Sequence, residues 1–492
     1  MVRKPALALI LAVSTSIVLT GTPADAVPSP ATSSPATSSP ATSSPATSSP
    51  ATPGSPGAGD PYYPLDGNGG YDVKHYDLAI RYAPASDALA GVVRIRALAT
   101  QRLSAFDLDL DGLTIRSVTV DGRPAQWSRD GTELTVTPRR SLSRGRVFDT
   151  RIVYDGVPKV IHDPDLGDGG AFTTDDGVVI LGEPDVAQAW FPSDDHPSDK
   201  ASFSIALTVP TGLRAISNGV PAGRSTARGW TTWRWEQAEP MATYLAMAAI
   251  GKYDVTSYRK NGIQFLDAID PALPRATYDR VARSFAREPE ILRFLSSYFG
   301  SYPFRAAGGI VDADGEWGYA LENQGRPIYT PQDFGTQEDG DSVVVHELAH
   351  QWYGDSVALD RWQGIWLNEG FASYAEWLWS EHEGLGTARQ TFEKLYATPA
   401  TASLWKSKVA DPGPPNLFIG AVYNRGAMTL HALRLTVGDR TFFRILRAWA
   451  QIHRNGNVTT AEFVALAERL SGRDLGALFT AWLYTPSKPA HP

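Results

Sequence analysis

The stretch HELAHQW at residues 346–352, with WLNEGF at residues 366–371, decides the fold of the second half of this chain. Two histidines four residues apart lie on one face of a helix, so His346 and His350 can bind one metal ion. Glu369 can supply a third ligand from a neighbouring helix, which leaves one position of a tetrahedral zinc ion for water. Glu347 is placed to take a proton from that water. The sequence therefore predicts a hydrolytic zinc site.

The same stretch is typical of a helix that forms the floor of a cleft. An apolar stripe repeats every fourth residue on the side opposite the histidines, at Val344, Leu348 and Trp352. Asp341 is the expected N-cap, and Gly354 is the expected residue after the helix end. Glu376 lies on the same helical face as Glu369, seven residues further on. It is either a hydrogen-bond partner of a ligand histidine or a solvated surface glutamate.

Composition limits the partners and the ligands. The chain has 492 residues, a net charge of −8 and no cysteine. A negative net charge argues against nucleic acid and anionic membrane surfaces, because both favour basic patches. Without cysteine there are no disulfides and no thiolate ligands, which leaves His, Asp and Glu to bind metal. We expect one Zn²⁺ per chain and no nucleic-acid partner.

The N-terminal 70 residues predict export and a spacer. Residues 1–26 have a charged start at Arg3 and Lys4, an apolar stretch and an A-x-A site at 24–26, as in a signal peptide. The alternative is an uncleaved anchor, but the stretch is short for a bilayer span. Residues 27–70 contain PATSS repeats and predict a disordered linker, either passive or a glycosylated tether for cell-wall association. We expect a secreted protein without stable membrane insertion after cleavage.

Two folded domains are expected after the linker. Residues 71–255 contain short alternating runs separated by turn signals such as DG at 111–112 and NG at 218–219, which predicts an antiparallel all-β domain. Residues 256–492 predict an α-rich domain with a small sheet, and the mixed stretch 310–330 is expected to form strands. The expected helices of this domain cover 275–299, 342–353, 364–382, 387–396, 422–437, 439–453 and 460–469. The fold class is therefore α+β.

HELAHQW and WLNEGF resemble the gluzincin zinc aminopeptidases, typified by aminopeptidase N and the leukotriene-hydrolysing zinc enzyme. The resemblance implies a thermolysin-like catalytic domain after the β domain. YALENQ at residues 319–324 resembles the family's GAMEN motif. Carried over, Glu322 would bind the α-amine of the substrate, and the backbone around Ala320 and Asn323 would hold the peptide. This chain has Tyr319 where the motif has Gly, and Leu321 where it has Met.

Two further stretches resemble the same family. GEPDVAQAWFPSDDHPSDKASF at residues 182–203 resembles its segment ending in DEPALKATF, which implies that Glu183 also binds the amine. AVYNRGAMTLHALR at residues 421–434 resembles its tyrosine segment, so Tyr423 would donate a hydrogen bond to the developing oxyanion. The last residues resemble the end of the family's catalytic domain. The resemblance therefore implies a short, two-domain secreted form.

Together these patterns predict a monomeric aminopeptidase that acts on peptides with a free N-terminus. Zinc-activated water would attack the first peptide bond, with Glu347 as the general base and Tyr423 as the oxyanion donor. A thermolysin-type endopeptidase is the main alternative, since it shares the zinc motif but needs no group that binds the amine. A non-catalytic, zinc-stabilised surface binding module is a more remote alternative.

Overall fold

The computed structural model describes residues 50–492. The predicted signal peptide and most of the predicted linker lie outside the described residues. The first part of the described chain consists of strands: β1 Thr52–Pro53, β2 Tyr71–Ala83, β3 Ala88–Ala99, β4 Leu103–Ala105, β5 Thr114–Val120, β6 Arg123–Pro124, β7 Gln126–Asp130, β8 Glu133–Thr137, β9 Val147–Gly156, β10 Val160–Asp163, β11 Gly167–Thr173, β12 Val178–Leu181, β13 Lys200–Pro210, β14 Arg214–Ser217, β15 Val220–Ala227, β16 Trp230–Ala242 and β17 Ala248–Gly251.

The second part combines short strands with longer helices: β18 Asp254–Lys260, β19 Ile263–Ile269, α1 Arg275–Ala286, α2 Glu288–Phe299, β20 Ala306–Ala307, β21 Ile310–Val311, β22 Ile328–Tyr329, α3 Gln337–His350, β23 Ala358–Leu359, α4 Trp366–Glu383, α5 Ala388–Tyr396, α6 Gly420–Val437, α7 Asp439–Ile452, β24 Asn457–Val458, α8 Thr460–Ser471 and α9 Gly476–Phe479. A strand-rich part thus precedes a helix-rich part, and the predicted α+β fold class is confirmed.

Two large sheets and two small two-stranded sheets, β1-β4 and β7-β8, form the strand-rich part. The larger has the order β15-β16-β13-β2-β3-β9-β5-β6, and all of its pairs are antiparallel except β13 with β2. Side chains along its strands alternate between buried and accessible, as β13 shows with its buried Phe203, Ile205 and Leu207. The smaller sheet has the order β10-β11-β12-β17-β14. Period-two alternation buries one face of each strand, which is the pattern that the sequence contains.

Residues 50–70, at the end of the predicted linker, are packed against both parts of the fold. β1 pairs with β4 in parallel, and Asp60 is buried. The Asp60 carboxylate accepts a hydrogen bond from the Trp362 backbone N–H at 2.9 Å and lies 3.3 Å from His196 Nε2. A buried carboxylate needs such partners, and here they come from both parts of the fold. The low-complexity composition therefore gives way to ordered structure before residue 70.

The helix-rich part differs from its prediction in two places. One helix was expected over 275–299, but α1 and α2 meet at Arg287, just before Pro289. Proline lacks an N–H and its ring clashes with the carbonyl four residues earlier, so a continuous helix is disfavoured there. Strands were expected over 310–330, but only β21 and β22 form at the two ends. The glycine-rich segment between them is irregular and carries Glu322.

The second part contains three helices that pack side by side, α3, α4 and α6. The apolar stripe of α3 is buried, with Val344, Leu348 and Trp352 at most 2 % exposed. Helix α3 lies beside α4, and α4 lies beside α6. Among the residues that the structure describes, no helix is both long and apolar enough to cross a membrane.

Candidate active site

The N-terminus of α3 sets the position of the zinc motif. Thr336 is the N-cap, and it exchanges hydrogen bonds with Asp339 in a capping box. The predicted N-cap, Asp341, was wrong, because its side chain accepts hydrogen bonds from Ser284 and Arg287 instead. Ser284 lies in α1, and Arg287 lies between α1 and α2. Their contacts with Asp341 are tertiary contacts, which a local sequence pattern does not reveal. The capping box satisfies the first backbone N–H groups, so α3 starts four residues earlier than Asp341.

His346, His350 and Glu369 converge from α3 and α4. Glu369 Oε2 lies 3.2 Å from His346 Nε2 and 3.5 Å from His350 Nε2. One ligand atom from each of the three residues can be chosen so that all lie within 4.8 Å of one another. Two imidazole nitrogens and one carboxylate oxygen are the donor set of many catalytic zinc sites. The three side chains therefore fit a zinc ion with one position left open.

The outer nitrogens of both histidines are held by acceptors. His346 Nδ1 lies 2.7 Å from Glu376 Oε1, and His350 Nδ1 lies 3.1 Å from the Tyr353 carbonyl oxygen. Each Nδ1 therefore carries the proton, which leaves each Nε2 lone pair free to bind a metal. This contact confirms the first of the two roles considered for Glu376. The Glu376 carboxylate also accepts a hydrogen bond from Ser342 at 2.7 Å.

Two glycines set the distance between α4 and α6. A Cβ atom added at Gly370 would lie 2.9 Å from the Gly426 Cα, which is closer than real Cβ contacts allow. Gly370 follows the ligand Glu369, and Gly426 comes three residues after Tyr423. Because neither glycine has a side chain, the two backbones approach closely, and this contact positions Tyr423 relative to the ligand group.

Glu347 lies beside the predicted amine-binding carboxylate. Oxygen atoms of Glu347 and Glu322 and a ring nitrogen of His350 all lie within 4.8 Å of one another. Burial raises the pKa of the Glu347 carboxyl to about 8; the two histidines oppose this rise and Glu322 adds to it. A carboxylate in this position can accept a proton and later release it.

Hydrogen bonds to two other segments fix Glu322 and its neighbours. The Tyr244 hydroxyl donates to Glu322 Oε1 at 3.2 Å, and Gln351 Nε2 donates to the Glu322 carbonyl at 3.0 Å. The Asn323 amide donates to the Leu245 carbonyl at 3.1 Å, so its side chain is buried against the β domain and does not line the cleft. Ala320, in contrast, lines the cleft. Tyr244 and Gln351 were not among the predicted site residues.

Glu183 enters the same cleft from the strand-rich part. It follows β12 and lines the cleft together with Glu322. Its Oε1 atom is buried and has no hydrogen-bond partner within residues 50–492. Burial raises the pKa of the Glu183 carboxyl well above its usual value, and the Glu322 and Glu369 carboxylates raise it further. A buried acceptor of this kind suits a cationic group supplied by a ligand.

Tyr423 lies on the first turn of α6 and faces the ligand histidines. Its ring is stacked on the His346 ring, with 6.1 Å between the ring centres. Burial raises the pKa of the Tyr423 phenol well above its usual value, and the carboxylates around it add to the effect. The phenol therefore stays protonated and can donate a hydrogen bond, which is the chemistry required of an oxyanion donor.

All of the predicted site residues except Asn323 line one cleft of about 550 Å³. The cleft is also lined by Leu166 and Asp168 of the β10–β11 hairpin and by Phe418, none of which was predicted. Leu166 and Asp168 are more than 150 residues from Glu322 in the sequence, and no local pattern links them to it. Only the packing of the hairpin against the segment before Glu322 brings them to the cleft.

Comparison with known proteins places both parts of the chain in one family. The Peptidase M1 N-terminal domain matches residues 72–245, and the Peptidase family M1 domain matches residues 283–482. A solved structure of an M1 zinc metallopeptidase from Deinococcus radiodurans is similar, with a TM-score of 0.78 and 28 % identity, over 89 % of this chain and 99 % of that chain. A mutant of that enzyme was solved bound to a Tyr-Ser-Ala substrate, with 29 % identity to this chain.

Curated relatives are longer than this chain. Aminopeptidase N of Lactococcus lactis is 29 % identical over 328 residues, which cover 62 % of this chain and 38 % of that protein. Human glutamyl aminopeptidase is 27 % identical over 326 residues, which cover 61 % of this chain and 33 % of that protein. The match therefore spans about a third of the length of these relatives. With both domains of the family matched in order and the HELAHQW and WLNEGF side chains converging in the cleft between them, the chain belongs to peptidase family M1.

Proposed function

We propose that this protein is a zinc-dependent aminopeptidase that removes N-terminal residues from peptides. One observation carries the proposal: the buried carboxylate of Glu322 and the half-buried carboxylate of Glu183 share a cleft with the metal-ligand group and the general base. No lysine or arginine is among the described residues that line this cleft. A cationic amine is the group that two such carboxylates would bind most strongly.

In this proposal the metal ligands are His346, His350 and Glu369. A zinc ion held there supplies a Lewis acid for the scissile carbonyl and for the attacking water. Glu347 accepts the proton of that water and later returns it to the leaving amine. The Tyr423 phenol donates a hydrogen bond to the oxyanion that develops on the carbonyl, a contribution of about 3 kcal/mol in comparable sites.

Glu322 and Glu183 determine where the chain is cut. If they bind the N-terminal ammonium, the first peptide bond is the one that reaches the metal and Glu347. A blocked N-terminus would leave both carboxylates buried without a cation, which is the kind of mismatch that gives strong discrimination. The positions of Ala320 beside the cleft and of Asn323 behind it support a role of this segment in holding the substrate backbone.

The relatives support the same class of substrate. Several are named aminopeptidases, and the Deinococcus enzyme was solved with a tripeptide substrate. Peptides with a free N-terminus are therefore the partners that we propose for this chain. A thermolysin-type endopeptidase would use the same metal group but would have no use for Glu322 and Glu183.

The test compares peptides that differ only at the N-terminus, free or acetylated, in the wild-type enzyme and in Glu322→Gln. We expect the wild-type enzyme to prefer the free amine by at least about 100-fold in kcat/KM, since a buried charge pair is lost on acetylation. Glu322→Gln should remove most of this preference. A chelator should abolish turnover of the free peptide, and added zinc should restore it.

Glu338→Gln is the matched control, because Glu338 is an exposed carboxylate of α3 that does not line the cleft. It should leave the preference unchanged. Equal cleavage of acetylated peptides at internal bonds would identify an endopeptidase. Tight zinc binding without hydrolysis of any peptide would identify the non-catalytic binding module.

We also propose that the chain works as a secreted monomer, with domains at 71–255 and 256–492. Arg3, Lys4 and the A-x-A site at 24–26 support cleavage after residue 26. The PATSS repeats support a linker that associates the enzyme with the cell wall. Mass spectrometry of the exported protein would give its first residue. Cleavage anywhere other than after residue 26 would contradict the proposed signal peptide.

A further inference from the structure

Tyr319 departs from the family motif and lies in the cleft. Its side chain is half-buried and lines the cleft together with Glu183, Glu322 and Leu166. The Tyr319 hydroxyl donates a hydrogen bond to the Asp168 carbonyl on β11 at 2.9 Å. This contact ties the segment before Glu322 to a hairpin of the strand-rich part. The ring is therefore held in one place, although the segment that carries it is irregular.

The ring lies beside the two carboxylates proposed to bind the amine. Burial raises the pKa of the Tyr319 phenol, and the negative charges of Glu183 and Asp168 raise it further, followed by that of Glu322. The phenol thus stays protonated and keeps its hydrogen bond to the Asp168 carbonyl. Because that bond uses its only donor, the side chain presents carbon atoms to the cleft.

We expect the side chain of the first substrate residue to start near the Tyr319 ring. An amine nitrogen is about 1.5 Å from its Cα atom, so the side chain begins within about 2.5 Å of the bound ammonium. If Glu183 and Glu322 hold the ammonium, the side chain starts in the part of the cleft that these two residues line together with Tyr319. The other lining groups at this end include apolar Leu166, Ala320 and Leu321.

We propose that Tyr319 forms the wall of the pocket for the first side chain and selects peptides that begin with an aromatic or large apolar residue. This inference rests on the proposed aminopeptidase function. An aromatic side chain stacked on the Tyr319 ring should gain about tenfold in affinity beyond its burial. Acidic first residues are excluded, because the carboxylates of Glu183, Glu322 and Asp168 repel them. Asp168 itself is paired with His162 at 2.9 Å.

The test measures kcat/KM for the peptides Phe-Ala-Ala, Leu-Ala-Ala, Ala-Ala-Ala and Glu-Ala-Ala. In the wild-type enzyme we expect Phe and Leu to exceed Ala by at least about tenfold, and Glu to be the poorest. Tyr319→Ala should lower the value for Phe-Ala-Ala by about tenfold and change that for Ala-Ala-Ala by less than about threefold. Tyr319→Phe keeps the ring but loses the bond to Asp168, so it should retain most of the preference.

Tyr258→Ala is the matched control. Tyr258 is also half-buried and stacks on Phe265, but it lies outside the cleft. It should leave the ratio of Phe to Ala substrates unchanged. A uniform loss for all four peptides in Tyr319→Ala would overturn the proposal and leave Tyr319 with a purely structural role. Equal values for Phe and Ala in the wild-type enzyme would also overturn it.

A binding measurement separates this inference from the proposed function. Phenylalanine amide and alanine amide are titrated into zinc-loaded Glu347→Gln by calorimetry, with Tyr319 intact or replaced by alanine. Tighter binding of phenylalanine amide that depends on Tyr319 supports the pocket even if no peptide is hydrolysed. Hydrolysis of free-amine peptides without this difference in binding would uphold the aminopeptidase and reject the pocket. If Tyr319→Ala does not fold, Tyr319→Leu replaces it in both measurements.

Discussion

The end of the cleft that holds the metal-ligand group and the end proposed to bind the amine differ in how their carboxylates are satisfied. At the metal end, Glu369 contacts both ligand histidines, and Glu376 accepts from Ser342 and contacts His346. At the amine end, Glu322 accepts from one tyrosine, and Glu183 has a buried oxygen without a partner within residues 50–492. The carboxylates at the metal end therefore have partners within the chain, whereas no lysine or arginine among the described residues lines the amine end.

This difference has an energetic consequence. A buried carboxylate without a hydrogen bond destabilises the folded state, and nearby like charges add to that cost. The pKa direction agrees with it: burial raises the pKa of the Glu183 carboxyl well above its usual value, and the neighbouring carboxylates raise it further. An ammonium group bound between Glu183 and Glu322 would relieve this cost, so binding energy is available at the end where the peptide starts.

The largest expected effect is the loss of activity in Glu347→Gln, which tests the chemical step independently of metal binding and amine binding. Glu347→Gln should lower kcat for every substrate by about 10³-fold or more, because the general base is lost while the metal ligands stay. Zinc content, measured by mass spectrometry of the native protein, should remain at one ion per chain. Glu338→Gln serves again as a carboxylate control on the same helix. A variant that keeps its zinc and more than a tenth of its activity would remove Glu347 from the mechanism.

A matched pair of substitutions tests the comparison of the two ends directly. Glu183→Gln should lower kcat/KM on free-amine peptides by about 100-fold and yet stabilise the apo protein by about 1 kcal/mol, because an unsatisfied charge is replaced by a neutral amide. At the metal end, Glu376→Gln should weaken a contact that orients His346. Its affinity for zinc should therefore fall by about tenfold. Thermal unfolding and competition with a zinc chelator measure the two effects. If Glu183→Gln destabilised the protein, Glu183 would be a satisfied structural group and the contrast between the ends would fail.

The sequence predicted the metal end better than the amine end, for a physical reason. His346 and His350 are four residues apart on α3, and Glu376 is seven residues after Glu369 on α4, so helical periodicity predicted that each pair shares a face of its own helix. Glu183 and Glu322 lie in irregular segments, and only the resemblance to a family indicated them. The hairpin residues Leu166 and Asp168 were not predicted, because their contact with Tyr319 depends on long-range packing.

The fold prediction was wrong in three places, where local sequence patterns were ambiguous or long-range contacts decided the structure. The break between α1 and α2 follows from Pro289, which the sequence displays, but the helical pattern on both sides concealed it. The capping box of α3 at Thr336 and Asp339 is local, yet Asp341 was chosen as the cap because it directly precedes the periodic stretch. The order of residues 50–70 depends on Asp60 and its partners in two remote segments, which composition cannot reveal.

The contrast between satisfied and unsatisfied buried groups extends to a third histidine, His431 of α6. Arg434 donates to the Tyr374 hydroxyl at 3.3 Å, so that hydroxyl donates its own proton to His431 Nδ1 at 3.1 Å. The proton of the neutral ring is then on Nε2, which has no partner within residues 50–492. Burial lowers the pKa of His431 to about 4; Arg434 and Arg389 lower it as well, and two carboxylates oppose them, Glu393 and Asp439. In the ligand histidines the Nδ1 proton has an acceptor, whereas the Nε2 proton of neutral His431 has none within residues 50–492.

His431 should therefore make stability depend on pH in one direction. A histidine in the unfolded chain binds a proton near pH 6.5, but burial lowers the pKa of folded His431 to about 4. The contribution of neutral His431 to the free energy of unfolding is therefore complete above pH 6.5 and is lost as the pH falls towards 4. Between pH 7 and pH 5 the loss is about 2 kcal/mol. Denaturant unfolding with excess zinc at several pH values measures it. His431→Gln, which cannot gain a proton, should reduce the slope by this amount whatever its effect on stability at pH 7. An unchanged slope would mean that folded His431 binds its proton near the ordinary pKa, and that its unsatisfied nitrogen carries no energetic weight.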